Sequence, residues 1–198
     1  MDARSKRPHA QGTGRNQIRI GGGQWRSRVL QFPDATGLRP TPDRVRQTLF
    51  NWLGQTLHDK TCLDAFAGSG ALGFEAASRG AARVLMCEAN VSVARVLTSN
   101  AALLGASQVT VASRSVFDWL KGGVGKFDVV FCDPPFSENL YSTLLAGLTP
   151  HLADGALVYV ESAEPIASLI IATPMYEVVK SSKAGSVNFG LLQLISAG

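Results

Sequence analysis

Short apolar runs and segments with helical spacing alternate along the chain from Thr61 to its end. Two of the runs, Val84–Cys87 and Phe127–Cys132, are apolar throughout or, in the second run, apart from Asp128, which is typical of strands covered on both faces. The alternation of strands with helices predicts an open, mostly parallel, doubly wound sheet. Candidate strands are residues 61–66, 82–88, 108–112, 127–132, 155–161, 174–181 and 187–195, and candidate helices are residues 71–79, 91–104, 115–121, 139–152 and 165–171.

The last two candidate strands have no helix between them. Lys183-Ala184-Gly185 separates them as a turn, so we expect a hairpin with one strand antiparallel to the rest of the sheet. Seven mostly parallel strands that end in an antiparallel hairpin form the Rossmann-like class I methyltransferase architecture. This architecture is the predicted α/β fold class.

The chain before this alternation has a different pattern. Residues 1–17 are polar and are predicted to form a disordered basic tail. Ile18–Ile20 and Gln24–Phe32 flank three glycines and predict an N-terminal β-hairpin. Alternation along its second strand would place Trp25, Ser27, Val29 and Gln31 on one face, and Arg26, Arg28 and Leu30 on the other. The two neighbouring arginines would then offer a contact surface for phosphates.

A helix is predicted to follow the hairpin. Thr41 is expected to be its N-cap and Pro42 to occupy its first helical position. Apolar residues then recur at helical spacing at Val45, Leu49, Trp52 and Leu53.

Charge is distributed unevenly along the chain. The 198 residues have a net charge of +4, with 19 basic and 15 acidic residues. Residues 1–46 contain ten of the basic and three of the acidic residues, so the whole basic excess lies at the front. This asymmetry favours a polyanionic partner that binds the front of the chain. The alternative is a solvated tail that binds nothing.

Composition limits the class of protein. Hydrophobic residues make up 45% of the chain, and its length suits one globular domain. No apolar run approaches the ~20 residues that a membrane span needs, and the polar N-terminus lacks the apolar region of a secretory signal. We therefore expect a cytoplasmic protein, with no membrane partner and a monomeric state.

Cysteines and histidines are few. Cys62, Cys87 and Cys132 lie in or beside apolar runs and are interpreted as buried thiols, since an odd number without C-x-x-C spacing favours neither disulfides nor a metal site. The three histidines, His9, His58 and His151, lie away from the ends of core strands and are expected at the surface.

A glycine-rich loop follows the first core strand. The strand ends at Asp64, and Gly68-x-Gly70-x-x-Gly73 comes directly after it. Open α/β sheets bind ligands at this carboxyl edge, and the glycines allow a ligand to approach the backbone closely. The spacing also fits the dinucleotide fingerprint, so an NAD-dependent oxidoreductase is an alternative. Asp64 favours S-adenosylmethionine, because a carboxylate can receive its ammonium group but would repel a pyrophosphate.

Further cofactor contacts are predicted at the ends of the next two strands. Glu88 ends the second core strand, where a carboxylate can accept hydrogen bonds from both ribose hydroxyls of an adenosine. Ser115 and Val116 follow the third core strand and are expected beside the adenine, and Phe66 is also assigned to the cofactor site.

Asp133-Pro134-Pro135-Phe136 follows the fourth core strand. Consecutive prolines stiffen the backbone and remove two N–H donors, so the carbonyl groups have fixed directions. The Asp133 carboxylate and the Pro134 carbonyl can hold the two hydrogens of an exocyclic amine, and Phe136 can stack on the base. A base inside a helix is unreachable, so the target must be unpaired or flipped out. This set predicts methylation of an amine on a nucleic-acid base.

Other functions remain open at this point. Methylation of DNA at adenine N6 or cytosine N4 uses the same chemistry, although the short basic front favours a substrate defined by its shape and loop structure, as in RNA. Protein glutamine methylation typically pairs with Asn in place of Asp133. A non-catalytic RNA-binding module would need neither Asp133 nor Glu88.

Longer stretches of the chain resemble the RsmD family of bacterial small-subunit ribosomal RNA guanine-N2 methyltransferases. The resemblance covers roughly residues 17 to 195 and is carried by residues 37–53, 63–73, 133–136 and Tyr159-Val160-Glu161. It implies S-adenosylmethionine as methyl donor, a loop guanine as target, and a hairpin that helps to dock the RNA. Asn90 stands where the family often has an acid.

The resemblance and the charge pattern together divide the chain into three parts. These are the tail at residues 1–17, a hairpin and helix for RNA docking at residues 18–58, and the methyltransferase domain at residues 59–198. The candidate RNA contacts are Arg26, Arg28, Arg39, Arg44 and Arg46, and the last three could instead contact the cofactor carboxylate.

Overall fold

The computed structural model of the chain describes residues 16–33, 40–134 and 140–195. Its strands are β1 Gln17–Arg19, β2 Val29–Gln31, β3 Thr61–Asp64, β4 Arg83–Cys87, β5 Val109–Ala112, β6 Phe127–Cys132, β7 Leu152–Ser162, β8 Tyr176–Ala184 and β9 Val187–Leu194. Its α-helices are α1 Asp43–Leu53, α2 Ala71–Ser78, α3 Val91–Leu104, α4 Val116–Leu120, α5 Leu140–Leu148 and α6 Ile166–Leu169. Short 3₁₀ turns at Thr149–His151 and Ile170–Ala172 extend the last two helices.

Seven strands form one sheet in the order β5-β4-β3-β6-β7-β9-β8. Strands β3 to β7 are parallel, and β9 lies antiparallel between β7 and β8. The predicted fold class and its C-terminal hairpin are confirmed. The chain order reverses between β3 and β6, and such a switch point is where open α/β sheets bind ligands.

Each face of the sheet has its own hydrophobic cluster. The first cluster joins the sheet to α1, α2 and α3 and also contains apolar residues of the β1–β2 hairpin. The second cluster joins the sheet to α4, α5 and α6. The hairpin and α1 therefore share a core with the sheet and do not form a separate layer.

Helix α2 is buried along its whole length because the hairpin covers the side that the sheet leaves open. The backbone N–H of Trp25 donates to Ser78 Oγ at 2.9 Å, and the N–H of Gly21 donates to Glu75 Oε2 at 2.7 Å. Glu75 is also paired with Arg79 at 2.8 Å, which compensates its burial. The hairpin is thus fixed to the rest of the molecule by polar contacts as well as by apolar packing.

The predicted second hairpin strand is too long. Only Val29–Gln31 is a strand, and residues 24–28 form turns in which Ser27 has a φ of 70°. Trp25 is buried against α2 whereas Ser27 is exposed, so these two residues do not share one face as expected. The predicted alternation fails here because contacts with α2 set the backbone of this segment.

The start of α1 also differs from the prediction. Pro42 occupies the N-cap, and neither it nor Thr41 caps the helix through a side chain. The Thr41 hydroxyl is instead hydrogen-bonded to the side chain of Glu161. The other predicted helices and strands agree with the structure to within a few residues at their ends.

The three cysteines are free and buried, as predicted. His58 is exposed, and the partly exposed His151 packs its ring against Trp119 at 5.1 Å between centroids. Within the described ranges, no helix is long and apolar enough to cross a membrane.

Candidate active site

Four acidic side chains lie at the carboxyl ends of four neighbouring strands. Asp64 ends β3, Glu88 directly follows β4, Asp133 directly follows β6, and Glu161 lies next to the end of β7. Because these strands are parallel, their carboxyl ends meet at one edge of the sheet, on both sides of the switch point. This edge is the candidate active site.

The loop after β3 depends on its glycines. Gly70 has a φ of 79°, a conformation that favours glycine. A Cβ at Gly73 would lie 2.4 Å from Met86 Cε and 3.1 Å from Asp64 Oδ2, so a larger residue there would displace the wall of the site. The loop can therefore lie close against β3 and β4.

The Asp64 carboxylate holds this loop. Its Oδ2 accepts a hydrogen bond from the Gly73 N–H at 2.9 Å, and the Phe66 N–H donates to the same side chain. Asp64 is only 3% exposed, and burial raises its pKa to about 7 despite the two N–H donors, which act in the opposite direction.

The Glu88 carboxylate connects the loop to the start of α3. It accepts hydrogen bonds from the Gly68 N–H at 2.9 Å and from the Asn90 N–H at 2.7 Å. Asn90 caps α3, since its side-chain oxygen accepts from the N–H groups of Ser92 and Val93. A capping role accounts for Asn90 at a position where the resemblance led us to expect an acid.

The remaining predicted cofactor residues lie on the side of the loop near α4. Ser115 caps α4 by accepting from the Asp118 N–H at 3.1 Å, and Val116 is buried in the second hydrophobic cluster. Phe66 is partly exposed and meets Phe117 edge to face with 6.4 Å between ring centroids. Phe66, Val116 and Phe117 form an apolar wall on this side of the site.

Asp133 and Pro134 lie on the other side of the switch point. Pro134 is buried and Asp133 is partly exposed, while Phe136 lies outside the described residues. Burial, the nearby Glu161 carboxylate and, more weakly, Asp64 raise the pKa of Asp133 well above its ordinary value. No described residue donates a hydrogen bond to its carboxylate.

Glu161 belongs to this edge of the sheet, although in the sequence only the family resemblance includes it. Its Oε1 accepts a hydrogen bond from the buried Tyr159 hydroxyl at 2.7 Å, and the Thr41 hydroxyl donates to it as well. On the opposite side of the strand, the Tyr141 hydroxyl donates to the Glu161 backbone carbonyl. Its place at the end of a core strand, the signal that identified Glu88 and Asp133, could have identified this residue too.

The predicted RNA-contacting arginines have different surroundings. Arg26, Arg28 and Arg44 are exposed, and Arg39 lies outside the described residues. Arg46 is 5% exposed and pairs with Asp43. It also donates to the Arg19 carbonyl at 2.9 Å, which favours a role in joining α1 to the hairpin over the predicted RNA contact.

The arrangement therefore has two parts. The half at β3 and β4 has acids whose oxygens accept backbone N–H groups of a glycine loop, together with an apolar wall. The half at β6 and β7 has two adjacent carboxylates and a rigid proline backbone. Chemically, the first half suits a zwitterionic adenosine compound, and the second half suits a group that carries several N–H donors.

Comparison with known proteins decides the family. A family model described as "Conserved hypothetical protein 95" matches residues 18–193. The chain is 43% identical over 195 residues to ribosomal RNA small subunit methyltransferase D of Escherichia coli, covering 98% of this chain and 97% of that protein. The chain belongs to the RsmD family.

Other relatives agree with this membership. The enzyme of the same name from Haemophilus influenzae is 41% identical over 192 residues, which is 94% of this chain and 96% of that protein. The solved structure of the Escherichia coli protein yhhF has a TM-score of 0.81 at 40% identity and covers 91% of this chain and 99% of its own. The resemblance stated from the sequence motifs is thus confirmed.

Proposed function

We propose that this RsmD-family protein transfers a methyl group from S-adenosylmethionine to the exocyclic N2 amine of a loop guanine in small-subunit ribosomal RNA. The observation that carries the proposal is the placement of Asp133. It lies across the switch point from the glycine loop, close enough to Asp64 for the charge of one to affect the pKa of the other. An amine held there would face a cofactor held over the loop.

The coarser part of this function follows from the family. Relatives named ribosomal RNA small subunit methyltransferase D match nearly the whole chain, which supports an S-adenosylmethionine-dependent methyltransferase that acts on ribosomal RNA. The choice of guanine, of its N2 atom and of a loop substrate is the finer part and is argued from the site.

The cofactor half fits S-adenosylmethionine. Asp64 would receive the ammonium group, and Glu88 would accept hydrogen bonds from the ribose hydroxyls. Gly68 and Gly70 would let the methionine part lie against the backbone, and the apolar wall that contains Phe66 and Val116, together with Ser115, would receive the adenine. When bound, the cofactor supplies an electrophilic methyl group on a sulfonium.

The target half fits the amine. The Asp133 carboxylate would accept one amine hydrogen, and the Pro134 carbonyl would accept the other. The nitrogen lone pair, which is otherwise delocalised into the base, is then directed towards the methyl group. Methyl transfer would form a C–N bond and break the methyl C–S bond, with S-adenosylhomocysteine as leaving group, and Asp133 would accept the proton that the nitrogen loses. Orientation of this kind supplies a large part of the rate in an in-line displacement.

The exposed arginines of the front segment would dock the RNA. Arg26 and Arg28 lie on the turn of the hairpin, which is fixed to α2, and Arg44 lies on the first turn of α1. Contacts from a rigid hairpin to phosphates fix the position of the RNA without reading its sequence. The target base must be unpaired or flipped out to reach Asp133.

The test uses tritiated S-adenosylmethionine with small ribosomal subunits that lack the modification. Naked ribosomal RNA and duplex DNA serve as parallel substrates, and the products are digested to nucleosides. We expect label in N2-methylguanosine from the ribosomal substrates. Label in N6-methyladenine or N4-methylcytosine from DNA would contradict the proposal, as would the absence of label from every substrate.

A further inference from the structure

Glu161 is the cross-strand neighbour of Asp133. Cys132, the last residue of β6, pairs with Val160 of β7, and the two acids are the next residues along the chain. Because side chains alternate along a strand, both acids project from the same face at the carboxyl edge of the sheet. The Glu161 charge is the largest electrostatic influence on Asp133, which agrees with this proximity.

The Glu161 carboxylate is fixed in place without a positive partner. Its side-chain donors are the neutral hydroxyls of Tyr159, which is fully buried, and Thr41, which is 7% exposed. Within the described residues no Lys or Arg forms an ion pair with it. Two adjacent, mostly buried carboxylates without a positive partner among the described residues are unfavourable for folding alone, so the pair is better explained by a ligand that supplies donors to both.

Guanine offers such a pair of donors, and the other bases with exocyclic amines do not. Beside its N2 amine, guanine carries N1–H. The ring nitrogen beside the amine is N1 in adenine and N3 in cytosine, and in both it is an acceptor. An acceptor placed against a carboxylate leaves both groups without a hydrogen bond and repelling each other. Two adjacent carboxylates therefore discriminate among bases by their hydrogen-bonding pattern.

We propose that Glu161 is a specificity-determining residue that accepts the N1–H of the target guanine while Asp133 accepts a hydrogen of its N2 amine. This inference rests on the proposed function and explains why that function selects guanine. Thr41 and Tyr159 then act as positioning residues that hold the carboxylate towards the base. Loss of a matched donor at a site built for it reduces kcat/KM by on the order of 100-fold or more.

The test compares guanine with 2-aminopurine at the methylated position. Small-subunit RNA carrying one or the other base is prepared by ligation and assembled into particles. The base 2-aminopurine keeps the amine that is methylated, but its N1 is an acceptor. For the wild-type protein we expect kcat/KM to fall on the order of 100-fold with 2-aminopurine. For Glu161→Gln, whose amide can donate to N1, we expect this ratio to shrink to roughly tenfold or less.

Two further variants separate specificity from folding. Glu161→Asp keeps the charge and should keep the preference for guanine at a lower rate. Glu164→Gln removes an exposed acid from the loop after the same strand and should change neither rate nor preference. If Glu161→Gln does not bind cofactor, Thr41→Val, which removes one donor to Glu161, should still reduce the preference.

The outcomes distinguish this inference from the function on which it rests. If the wild-type protein forms N2-methylguanosine and uses 2-aminopurine equally well, the inference is wrong and the proposed function stands. If Glu161→Gln loses kcat/KM equally with guanine and with 2-aminopurine, the residue has a structural role only. If the wild-type protein transfers the labelled methyl group to adenine or cytosine, both proposals fail.

Discussion

Asp64 and Asp133 are both largely buried acids at the carboxyl ends of neighbouring parallel strands, yet their surroundings differ. The Asp64 carboxylate accepts hydrogen bonds from two backbone N–H groups of the glycine loop. The Asp133 carboxylate has no donor among the described residues and has a second acid, Glu161, beside it. Burial raises the pKa of both groups.

The difference shows which half of the site is complete before a ligand binds. The loop satisfies Asp64, so the cofactor half is preorganised by backbone hydrogen bonds. Asp133 has no donor among the described residues and lies beside the Glu161 carboxylate, so it becomes satisfied when a substrate provides a donor. Preorganised acceptors directed at the reacting group are a general means of catalysis. Substitutions should therefore act differently in the two halves.

Asp133→Asn is expected to have the largest effect. The substitution keeps the shape of the side chain but removes the charge that orients the amine and accepts its proton, so kcat should fall on the order of 10²–10⁴-fold. Cofactor affinity, measured by calorimetry, should stay within about twofold because Asp64 and the loop are unchanged.

A matched control lies on the same strand. Asp128 is at the amino end of β6, where it accepts from the Thr61 N–H at 2.8 Å, and an Asn there can accept the same bond. Asp128→Asn should keep full turnover. Unchanged turnover in Asp133→Asn would remove the basis for assigning the amine to this half.

Gly73→Ala should damage the cofactor half instead. The new Cβ would lie 2.4 Å from the Cε of the fully buried Met86 and would press on Asp64, so we expect a loss of about 1–3 kcal/mol in stability, loop geometry or both. Thermal unfolding and cofactor titration measure the two effects.

The control for this variant is Gly122→Ala, where an added Cβ would meet no atom within 4 Å. That variant should resemble the wild type. Cofactor affinity and unfolding temperature in Gly73→Ala that match those of Gly122→Ala would show that the loop does not need its close packing.

The double variant Arg26→Ala/Arg28→Ala tests whether RNA docking is separate from both halves. Losing two phosphate contacts should weaken RNA binding roughly tenfold at moderate salt and reduce the slope of log K against log salt by about 1.5. Cofactor affinity, and turnover at saturating RNA, should not change. Filter binding over a range of salt concentrations measures the slope.

The double variant Arg83→Ala/Arg95→Ala provides the control, because both arginines are exposed and lie outside the hairpin. It removes the same amount of positive charge and should leave the slope of log K against log salt as in the wild type. Equal slopes for the two double variants would show that the hairpin is not the docking surface.

Most of the fold could be predicted from the sequence because its central strands are almost fully buried. Apolar runs such as Phe127–Cys132 indicate a strand that is covered by helices on both faces. The predicted bounds of β6 and α3 agree with the structure. Asp64, Glu88 and Asp133 lie at the ends of these strands, as expected, because parallel order fixes which ends meet; their roles stay predictions.

The prediction failed where distant contacts decide the local structure. Residues 24–28 looked like a strand by alternation, but hydrogen bonds to Ser78 hold them as turns. Arg46 looked like a surface cation, yet it is buried between α1 and β1. Thr41 looked like a helix cap, and its bond to Glu161 could be found only once the start of α1 was placed beside β7. A single sequence does not encode such pairings in any local pattern.

The smallest expected effect is the change in the pH dependence of kcat/KM in Glu161→Gln. It tests the comparison between Asp64 and Asp133 most directly. Asp133 must be ionised to accept the amine hydrogen, so kcat/KM should fall as the pH drops through the pKa of the Asp133–Glu161 pair. The groups that influence this acid are Glu161 on β7 and Asp64 on β3, and both raise its pKa. Removing the Glu161 charge therefore lowers that pKa, and the acid limb of the profile should move to lower pH by roughly one unit.

Asp64 provides the internal reference for this measurement. Its pKa is raised by burial and by Glu88, and Glu161 is not among the causes of its shift. The pH dependence of cofactor binding should therefore be the same in the wild type and in Glu161→Gln, while the acid limb of methyl transfer moves. An acid limb that stays in place or moves to higher pH would mean that the two carboxylates do not share one site. Asp133 would then be a single buried acid like Asp64, and the contrast between the two halves would disappear.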